Sequence, residues 1–160
     1  MNYRIGQGFD THRLKENIPL IIGGVFIPYH MGSKGHSDGD ILFHAIVDAI
    51  LGALSMGDIG THFPSDNPKW ENANSKVFLE YVYQLMSDKG YKLSNIDATI
   101  LLQKPKLSNF IYQIRYNLAS YMQLDESQLS IKATTTDHLG YIGRGEGWAV
   151  QAICTLQSID

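Results

Sequence analysis

The most apolar stretch of the chain, ILFHAIVDAILGAL (Ile41–Leu54), limits what this chain can fold into. Its apolar residues recur three and four positions apart, which is typical of an amphipathic helix. The stretch is too short to cross a bilayer as a helix, and it carries His44 and Asp48. The pattern therefore predicts a helix that begins near Asp40 and packs inside a folded domain.

Strand and helix patterns alternate along the rest of the chain. Strands are predicted at residues 3–12, in two short runs around Gly23-Gly24, and at residues 95–103, 129–136 and 148–157. Further helices are predicted at residues 74–89 and before Met122, while residues 30–40, 58–68 and 137–147 are expected to be irregular loops. Such alternation in a short chain favours an α+β fold of two layers, a mixed β-sheet with helices packed on one face.

Composition indicates one ordinary globular domain, residues 1–160. Hydrophobic residues make up 44% and charged residues 18% of the chain, and the net charge of −3 gives no general affinity for nucleic acid or an anionic membrane. The N-terminal residues lack the apolar core of a secretion signal. The single cysteine, Cys154, excludes an internal disulfide and suits a reducing compartment, so we expect a cytoplasmic protein in which Cys154 is a packing residue.

The segment GQGFDTHRL (residues 6–14) places a carboxylate and an imidazole two residues apart on a predicted strand. Residues i and i+2 of a strand point to one face, so Asp10 and His12 are expected to project together, with Phe9 and Thr11 on the opposite face. The pair is half of a metal site or an ordinary surface pair. The Gly6-x-Gly8 pattern is no dinucleotide fingerprint, because no third glycine and no helix follow.

His44 lies in the apolar helix, with Asp40 and Asp48 one turn away on either side. Alone, such a histidine is more often a core or surface residue. Together with Asp10 and His12 it would complete three protein ligands, which leaves a fourth position open as in catalytic zinc sites. One carboxylate and two imidazoles suit zinc or manganese better than calcium. Either Asp40 or Asp48 could orient the His44 ring.

Two glycine-rich loops have features that suit phosphate. In GSKGHSDGD, backbone amides before a helix could hold phosphate oxygens, although a solvent-exposed turn explains the loop equally well and no P-loop pattern is present. In KATTTDHLGYIGRGEG, a threonine run and Asp137 precede closely spaced glycines, and Arg144 suits a bidentate contact with phosphate. The alternative for this second loop is a flexible hairpin with a solvated arginine.

These stretches together resemble the 2-C-methyl-D-erythritol 2,4-cyclodiphosphate synthase family of the non-mevalonate isoprenoid pathway. The resemblance runs from about Arg4 to Leu156. It is carried, in order, by RIGQGFDTHRL, IIGGVFIP, HSDGDILFHAIVDAILGAL, GDIGTHFP, QKPK and IKATTTDHLGYIGRGEG.

The resemblance implies a homotrimer with active sites between subunits. Asp10, His12 and His44 would hold zinc (or manganese), with Asp10 and His12 also facing the substrate, and magnesium (or manganese) would bind the diphosphate near Asp137. His36 and Thr135 would be catalytic by stabilising the transition state, and His36 and Ser37 would bind phosphate. The methylerythritol and ribose region would be lined by Asp58, Ile59, Gly60, Phe63, Ser65 and Asn67. The cytidine pocket would be formed by residues 102–108, including Leu102 and Lys106, and by Thr134, Thr135, Thr136 and Asp137, with Tyr141 and Arg144 near the phosphates.

Three positions depart from the family pattern. Asp137 stands where a Glu is usual, Ser65 stands where an Asp often contacts the substrate diol, and Gln151 stands where some members carry a Glu facing the trimer axis. The last departure bears on ligands bound along that axis and not on catalysis.

The implied substrate is CDP-linked: the 2-phosphate of 4-diphosphocytidyl-2-C-methyl-D-erythritol 2-phosphate attacks the β-phosphorus, a cyclic diphosphate forms and CMP leaves. No nucleic acid or membrane partner is expected. Two other interpretations remain open at this point. One is a metal-dependent phosphohydrolase that uses the same three ligands to activate water, and the other is a module that binds a phosphorylated ligand without catalysis.

Overall fold

A computed structural model describes residues 2–35 and 37–159, so the predicted site residue His36 lies outside the described residues. The strands are β1 (Tyr3–Glu16), β2 (Leu20–Ile22), β3 (Val25–Ile27), β4 (Met31–Lys34), β5 (Tyr91–Leu101), β6 (Leu129–Thr134) and β7 (Gly147–Ser158). The α-helices are α1 (Ile41–Leu54), α2 (Ile59–His62), α3 (Lys76–Asp88), α4 (Ile111–Met122) and α5 (Gly140–Gly143), and 3-10 turns occupy Pro68–Trp70 and Glu126–Gln128.

The main sheet has the strand order β4-β1-β7-β5-β6, and β2 and β3 form a separate hairpin. β5 and β6 are parallel, whereas the other neighbouring pairs are antiparallel, so the sheet is mixed. Helices α1, α3 and α4 pack on one face, which confirms the predicted two-layer α+β fold. Within the described part of the chain, no helix has the length and apolar character needed to span a membrane.

The core confirms the interpretation of Cys154. Its side chain is buried on β7 among apolar residues that include Trp148 and Leu156. Burial raises the pKa of the Cys154 thiol to about 12, so the nucleophilic thiolate is scarce at neutral pH. Cys154 is therefore a packing residue.

Three of the predicted loops contain regular structure, so their assignment as irregular was wrong. Residues 31–34 form β4, which pairs with Arg13–Glu16 of β1. The alternation of a strand is hidden there because Gly32 is pressed against the chain at Pro19, where an added Cβ would lie 2.2 Å from the carbonyl oxygen. The other two loops contain the single helical turns α2 and α5, which are too short to produce a periodic pattern.

β1 lies directly against the backbone of α1. A Cβ added at Gly6 would lie 1.8 Å from the Ala49 carbonyl oxygen, and one added at Gly8 would lie 1.9 Å from the Ala45 carbonyl oxygen. Glycine on the strand and alanine on the helix therefore allow an approach that larger side chains would prevent. The Gly6-x-Gly8 pattern therefore serves to make this contact possible. As a result, the face of β1 that continues into Asp10 and His12 lies next to α1.

Gly8→Ala is expected to lower the free energy of unfolding by about 3 kcal/mol or more, because backbone and not a flexible side chain blocks the new methyl group. Gly52→Ala, on α1 opposite the strand, is the control. Its added Cβ would come no closer than 3.7 Å to Gln7, and the better helix propensity of alanine should raise stability by up to about 1 kcal/mol. Urea denaturation of both variants checks this, and equal effects would contradict the proposed backbone contact.

Asp40 stands at the N-cap position of α1 but does not cap the helix. Its two carboxylate oxygens accept hydrogen bonds from the backbone amides of Gly23 (3.0 Å) and Gly24 (2.8 Å), which form the turn between β2 and β3. The carboxyl group is fully buried, and burial raises its pKa from the ordinary 3.8 to about 7 against the opposing effect of the two amides. Asp40 therefore fastens the hairpin to the start of α1.

Asp40→Asn is expected to cost about 1–3 kcal/mol in acid, because the hydroxyl oxygen of the protonated Asp40 carboxyl can still accept from one of the two N–H groups, whereas the NH2 group of Asn can only donate. The deficit should shrink as the pH rises from 3.8 towards about 7. In that window the folded wild type retains a proton that the unfolded chain releases, so wild-type stability falls with pH, whereas Asn does not titrate. The midpoints of urea denaturation of the wild type and Asp40→Asn, measured across this pH range, test the prediction. A difference in stability that does not change with pH would contradict it.

Candidate metal centre and adjoining cavities

Asp10, His12 and His44 come together where β1 crosses α1. As predicted, Asp10 and His12 project from the helix-facing side of β1, while Phe9 and Thr11 are exposed on the other face. His44 Nδ1 lies 3.0 Å from Asp10 Oδ2, and His12 Nε2 lies 3.6 Å from the same oxygen. One ligand atom from each of the three residues lies within 4.8 Å of the other two.

This donor set fits a divalent transition metal. A carboxylate oxygen and two imidazole nitrogens converge from two rigid elements, and the arrangement faces a cavity where a further ligand can enter. Burial lowers the pKa of the His12 ring, partly opposed by the attraction of Asp10. A lowered pKa favours the neutral ring, which is the form that binds a metal ion.

The outer nitrogen of His44 is held by serines and not by the two predicted aspartates. Nε2 lies 2.9 Å from Ser75 Oγ and 3.0 Å from Ser37 Oγ. Asp40 is occupied by the hairpin amides, and Asp48 accepts a hydrogen bond of 2.7 Å from the backbone N–H of Ile59. The prediction that Asp40 or Asp48 orients the His44 ring was therefore wrong, because backbone amides from loops compete successfully for both carboxylates.

His12 has a similar partner on its other nitrogen. Ser33 Oγ lies 3.4 Å from His12 Nδ1 and accepts a hydrogen bond of 3.1 Å from the indole N–H of Trp148. Both Ser33 and Trp148 are buried. Sequence reasoning missed Ser33 and Ser75, since neither belongs to a periodic or spaced motif that would mark it as a neighbour of a histidine.

A cavity of about 720 Å³ adjoins the three candidate ligands. Among the predicted site residues it is lined by Asp10, His12, Ser37, His44, Ile59, Gly60, Phe63 and Ser65. Lys34, Trp70 and Phe78 also line it and were not predicted, and Trp70 and Phe78 both contact the ring of Phe63 edge-on or at a tilt. The cavity therefore combines a basic side chain, a possible metal centre and an aromatic wall.

Two of the predicted residues in this region act on local backbone instead of lining the cavity. Asp58 caps α2 by accepting hydrogen bonds of 2.8 Å from the backbone N–H and the hydroxyl of Thr61, and these bonds lower the pKa of its carboxyl. Asn67 caps the turn at Pro68–Trp70 through its side-chain oxygen, 3.0 Å from the Lys69 N–H. Both residues shape the segment that carries Ile59, Gly60 and Phe63.

A second cavity, of about 780 Å³, lies between the end of β5, the end of β6 and α4. It is lined by residues 102–108, which include Leu102 and Lys106, and by Ala133, Thr134 and Thr135, together with Tyr29 and Ile111. Two predicted segments that are far apart in sequence thus meet at one cavity. Among the described residues, the two cavities share no lining residue.

The remaining predicted residues line neither cavity. Thr136 Oγ1 donates to the Leu139 carbonyl (2.7 Å), and Asp137 stands in the exposed turn with a left-handed φ of 52°. The hydroxyl of Tyr141 lies 2.8 Å from Thr11 Oγ1, on the sheet face opposite the metal ligands. Arg144 forms an exposed ion pair of 2.7 Å with Glu146. One copy of the chain therefore does not bring all predicted residues to one place.

Comparison with known proteins assigns nearly the whole chain to one family. The model of the YgbB family matches residues 3–157. A curated relative from Geobacillus kaustophilus, named 2-C-methyl-D-erythritol 2,4-cyclodiphosphate synthase, is 52% identical over 155 residues, covering 97% of this chain and 98% of the relative.

Solved structures show the same fold. The bifunctional IspDF of Campylobacter jejuni matches with a TM-score of 0.95 and 45% identity over 99% of this chain, which spans only 43% of that longer protein. IspF of Plasmodium falciparum, solved as a complex with CDP, matches with a TM-score of 0.88 and 40% identity, covering 99% of this chain and 98% of that one.

Proposed function

The chain belongs to the YgbB family of 2-C-methyl-D-erythritol 2,4-cyclodiphosphate synthases, and we propose that it forms the cyclic diphosphate in a metal-dependent reaction at the cavity beside Asp10, His12 and His44. The substrate is 4-diphosphocytidyl-2-C-methyl-D-erythritol 2-phosphate, and the second product is CMP. The convergence of the three ligand atoms in the lining of this cavity is the observation that carries the proposal. The comparisons give no support to a phosphohydrolase.

The reaction needs positioning more than a nucleophile activated by a base. The attacking 2-phosphate is already ionised at neutral pH, and CMP departs as a stable anion, so the main barrier is the approach of like charges in line. Asp10, His12 and His44 would hold a divalent cation, which would supply positive charge to offset the negative charge of the phosphate oxygens. Lys34 adds a positive side chain beside the cavity, and in this proposal Ser37 and His36 hold phosphate.

We assign the second cavity to cytidine. Pro105 fixes the turn that presents the backbone of residues 102–108, and Lys104 and Lys106 give the cavity positive charge. Thr134 and Thr135 border it from β6, and Thr135 is proposed to stabilise the transition state. The CDP complex of the Plasmodium falciparum relative supports a nucleotide ligand of this kind.

Asp137 is proposed to help hold magnesium at the diphosphate, as the carboxylate in the place of the family's usual Glu. The side chain is exposed in a turn beside Thr135, whose hydroxyl oxygen accepts from the Asp137 N–H at 3.3 Å. Magnesium retains several waters and tolerates a single protein carboxylate, so the shorter side chain is compatible with this role. Arg144 and Tyr141 are proposed to lie near phosphate in the assembled enzyme.

A homotrimer with sites between subunits would account for two features of the single chain. Ile5, Phe9 and Ile153 are 73%, 54% and 44% exposed and are neighbours on the outer sheet face, since Ile153 pairs with Gln7 between the other two. An exposed apolar sheet face is a common site of association. The separate cavities would then meet across the interface, with Tyr141 and Gln151 on the same outer face.

We also expect the enzyme to work in the cytoplasm.

The first test measures CMP release and the phosphorus-containing product from synthetic substrate, with and without a chelator. The wild type is expected to give the cyclic diphosphate, to lose activity with chelator, and to recover it with zinc or manganese. His44→Ala should bind less zinc and lose at least about 100-fold in kcat, since a positioned charge of this kind contributes several kcal/mol. A linear product that carries oxygen from the solvent would indicate a phosphohydrolase, and full zinc occupancy in His44→Ala would contradict the ligand assignment.

The second test concerns the assembly. Subunits carrying His44→Ala are mixed under refolding conditions with subunits carrying Thr135→Ala, each preparation being nearly inactive alone. If sites form between subunits, mixed trimers contain some sites with both intact residues, and part of the activity returns. Light scattering verifies the trimer, and His44→Ala mixed with itself is the control. Mixed trimers without recovered activity would place the whole site in one subunit.

A further inference from the structure

Two consecutive hydrogen bonds, one buried and one part-buried, lead from the candidate metal ligand His44 to the carboxylate of Asp38. His44 Nε2 lies 2.9 Å from Ser75 Oγ, and Ser75 Oγ is hydrogen-bonded to Asp38 Oδ1. Ser75 is fully buried and His44 is nearly so. On the other side of the ring, Nδ1 faces Asp10 Oδ2 at 3.0 Å.

The direction of these hydrogen bonds follows from the chemistry of the groups. A carboxylate only accepts hydrogen bonds, so Ser75 must donate its hydroxyl proton to Asp38. Ser75 then has no proton for His44 and can only accept from Nε2–H. A neutral imidazole that carries its proton on Nε2 has its lone pair on Nδ1, the nitrogen that faces Asp10 Oδ2. Asp10 Oδ2 also only accepts hydrogen bonds, so it competes for the ring proton until a cation lies between the two atoms.

Asp38 is itself fixed by backbone. Its carboxylate accepts from the N–H groups of Ser75 (3.0 Å) and Asp40 (3.1 Å), and its own N–H donates to the Ala73 carbonyl (3.2 Å). These bonds join the glycine-rich loop before α1 to the start of α3. The carboxylate can therefore not turn away from Ser75 without breaking several contacts.

We propose that Ser75 and Asp38 are positioning residues that fix His44 in the tautomer protonated on Nε2, and so prepare Nδ1 to bind the metal ion. The proposal rests on the metal site described under the proposed function. Ser37 Oγ, 3.0 Å from the same Nε2, can share the proton, but no carboxylate within the described residues fixes the direction of its hydroxyl. Asp38 and Ser75 therefore determine which atoms donate and which accept in the hydrogen bonds behind His44.

The tautomer can be measured without metal. In full-length, metal-free, ¹⁵N-labelled protein under slightly alkaline conditions, long-range ¹H–¹⁵N spectra distinguish the protonated from the unprotonated ring nitrogen. The measurement uses Asp10→Ala as the background, because this change removes the acceptor that competes at Nδ1. In this background His44 is expected to be protonated on Nε2. Adding Ser75→Ala or Asp38→Asn should give a mixture of tautomers, because the first removes the acceptor and the second supplies an N–H that lets Ser75 donate to the ring.

Ser158→Ala is the matched control, because Ser158 is also buried and its hydroxyl oxygen accepts a 2.9 Å hydrogen bond from Asn2, far from His44 in sequence and bonding. It should leave the His44 tautomer unchanged. Thermal unfolding of all three variants separates a tautomer change from a loss of folding. An unchanged tautomer in folded Ser75→Ala and Asp38→Asn would overturn the proposal.

Zinc affinity, measured by competition with a chromophoric chelator in the absence of substrate, gives the second measurement. Ser75→Ala and Asp38→Asn are expected to bind zinc about 10- to 100-fold more weakly, the usual effect of losing a group that orients a ligand, and Ser158→Ala should match the wild type. A changed tautomer with unchanged zinc affinity would overturn the positioning role. A wild type that binds no zinc would overturn the metal site, while the tautomer measurement would still decide the direction of the hydrogen bonds.

Discussion

The approach of β1 to the backbone of α1 is the constraint on which the rest of the site depends. Gly6 and Gly8 leave no side chain between strand and helix. The same strand face continues into Asp10 and His12, and the same helix carries His44. His44 Nδ1 on α1 lies 3.0 Å from Asp10 Oδ2 on β1, which requires a fixed distance between the helix and the strand. If a side chain separated the two elements, the ligand atoms would be too far apart to bind one ion.

Three acidic residues in or next to α1 have a structural role: their carboxylates hold loops in place. Asp40 holds the β2–β3 turn, Asp48 holds the backbone at Ile59, and Asp38 joins the loop before α1 to the start of α3. Each uses carboxylate oxygens to accept backbone N–H groups that would otherwise be unsatisfied. Asp10, by contrast, has one carboxylate oxygen directed at two imidazoles. Asp38, Asp40 and Asp48 therefore hold loops in place, whereas Asp10 is the carboxylate of the candidate metal centre.

Local periodicity was sufficient to predict the layers of the fold and the elements and strand face on which the three candidate ligands lie. The two-residue spacing placed Asp10 and His12 on one strand face, and the apolar helix pattern placed His44 on α1, as the structure confirms. The partners of His44 could not be predicted this way. Ser75 comes from an aperiodic segment more than 30 positions away, and Asp40 and Asp48, which have the right helical spacing, are taken by loop amides. The sequence also did not predict that the site residues of one chain would line two separate cavities, because this depends on where the strand ends lie in the folded protein.

The pairing of β1 with β7 also affects how this enzyme is made. Tyr3 is paired with Gln157 and Arg13 with Gly147, so one of the earliest strands in the sequence completes its ladder with the last. Contacts so distant in sequence slow folding and come late in it. During synthesis on the ribosome, Asp10 and His12 are therefore made long before Val150 and Trp148, the residues of β7 that pair with them. A premature stop that removes β7 would disable the candidate ligands on β1, although their own codons are intact.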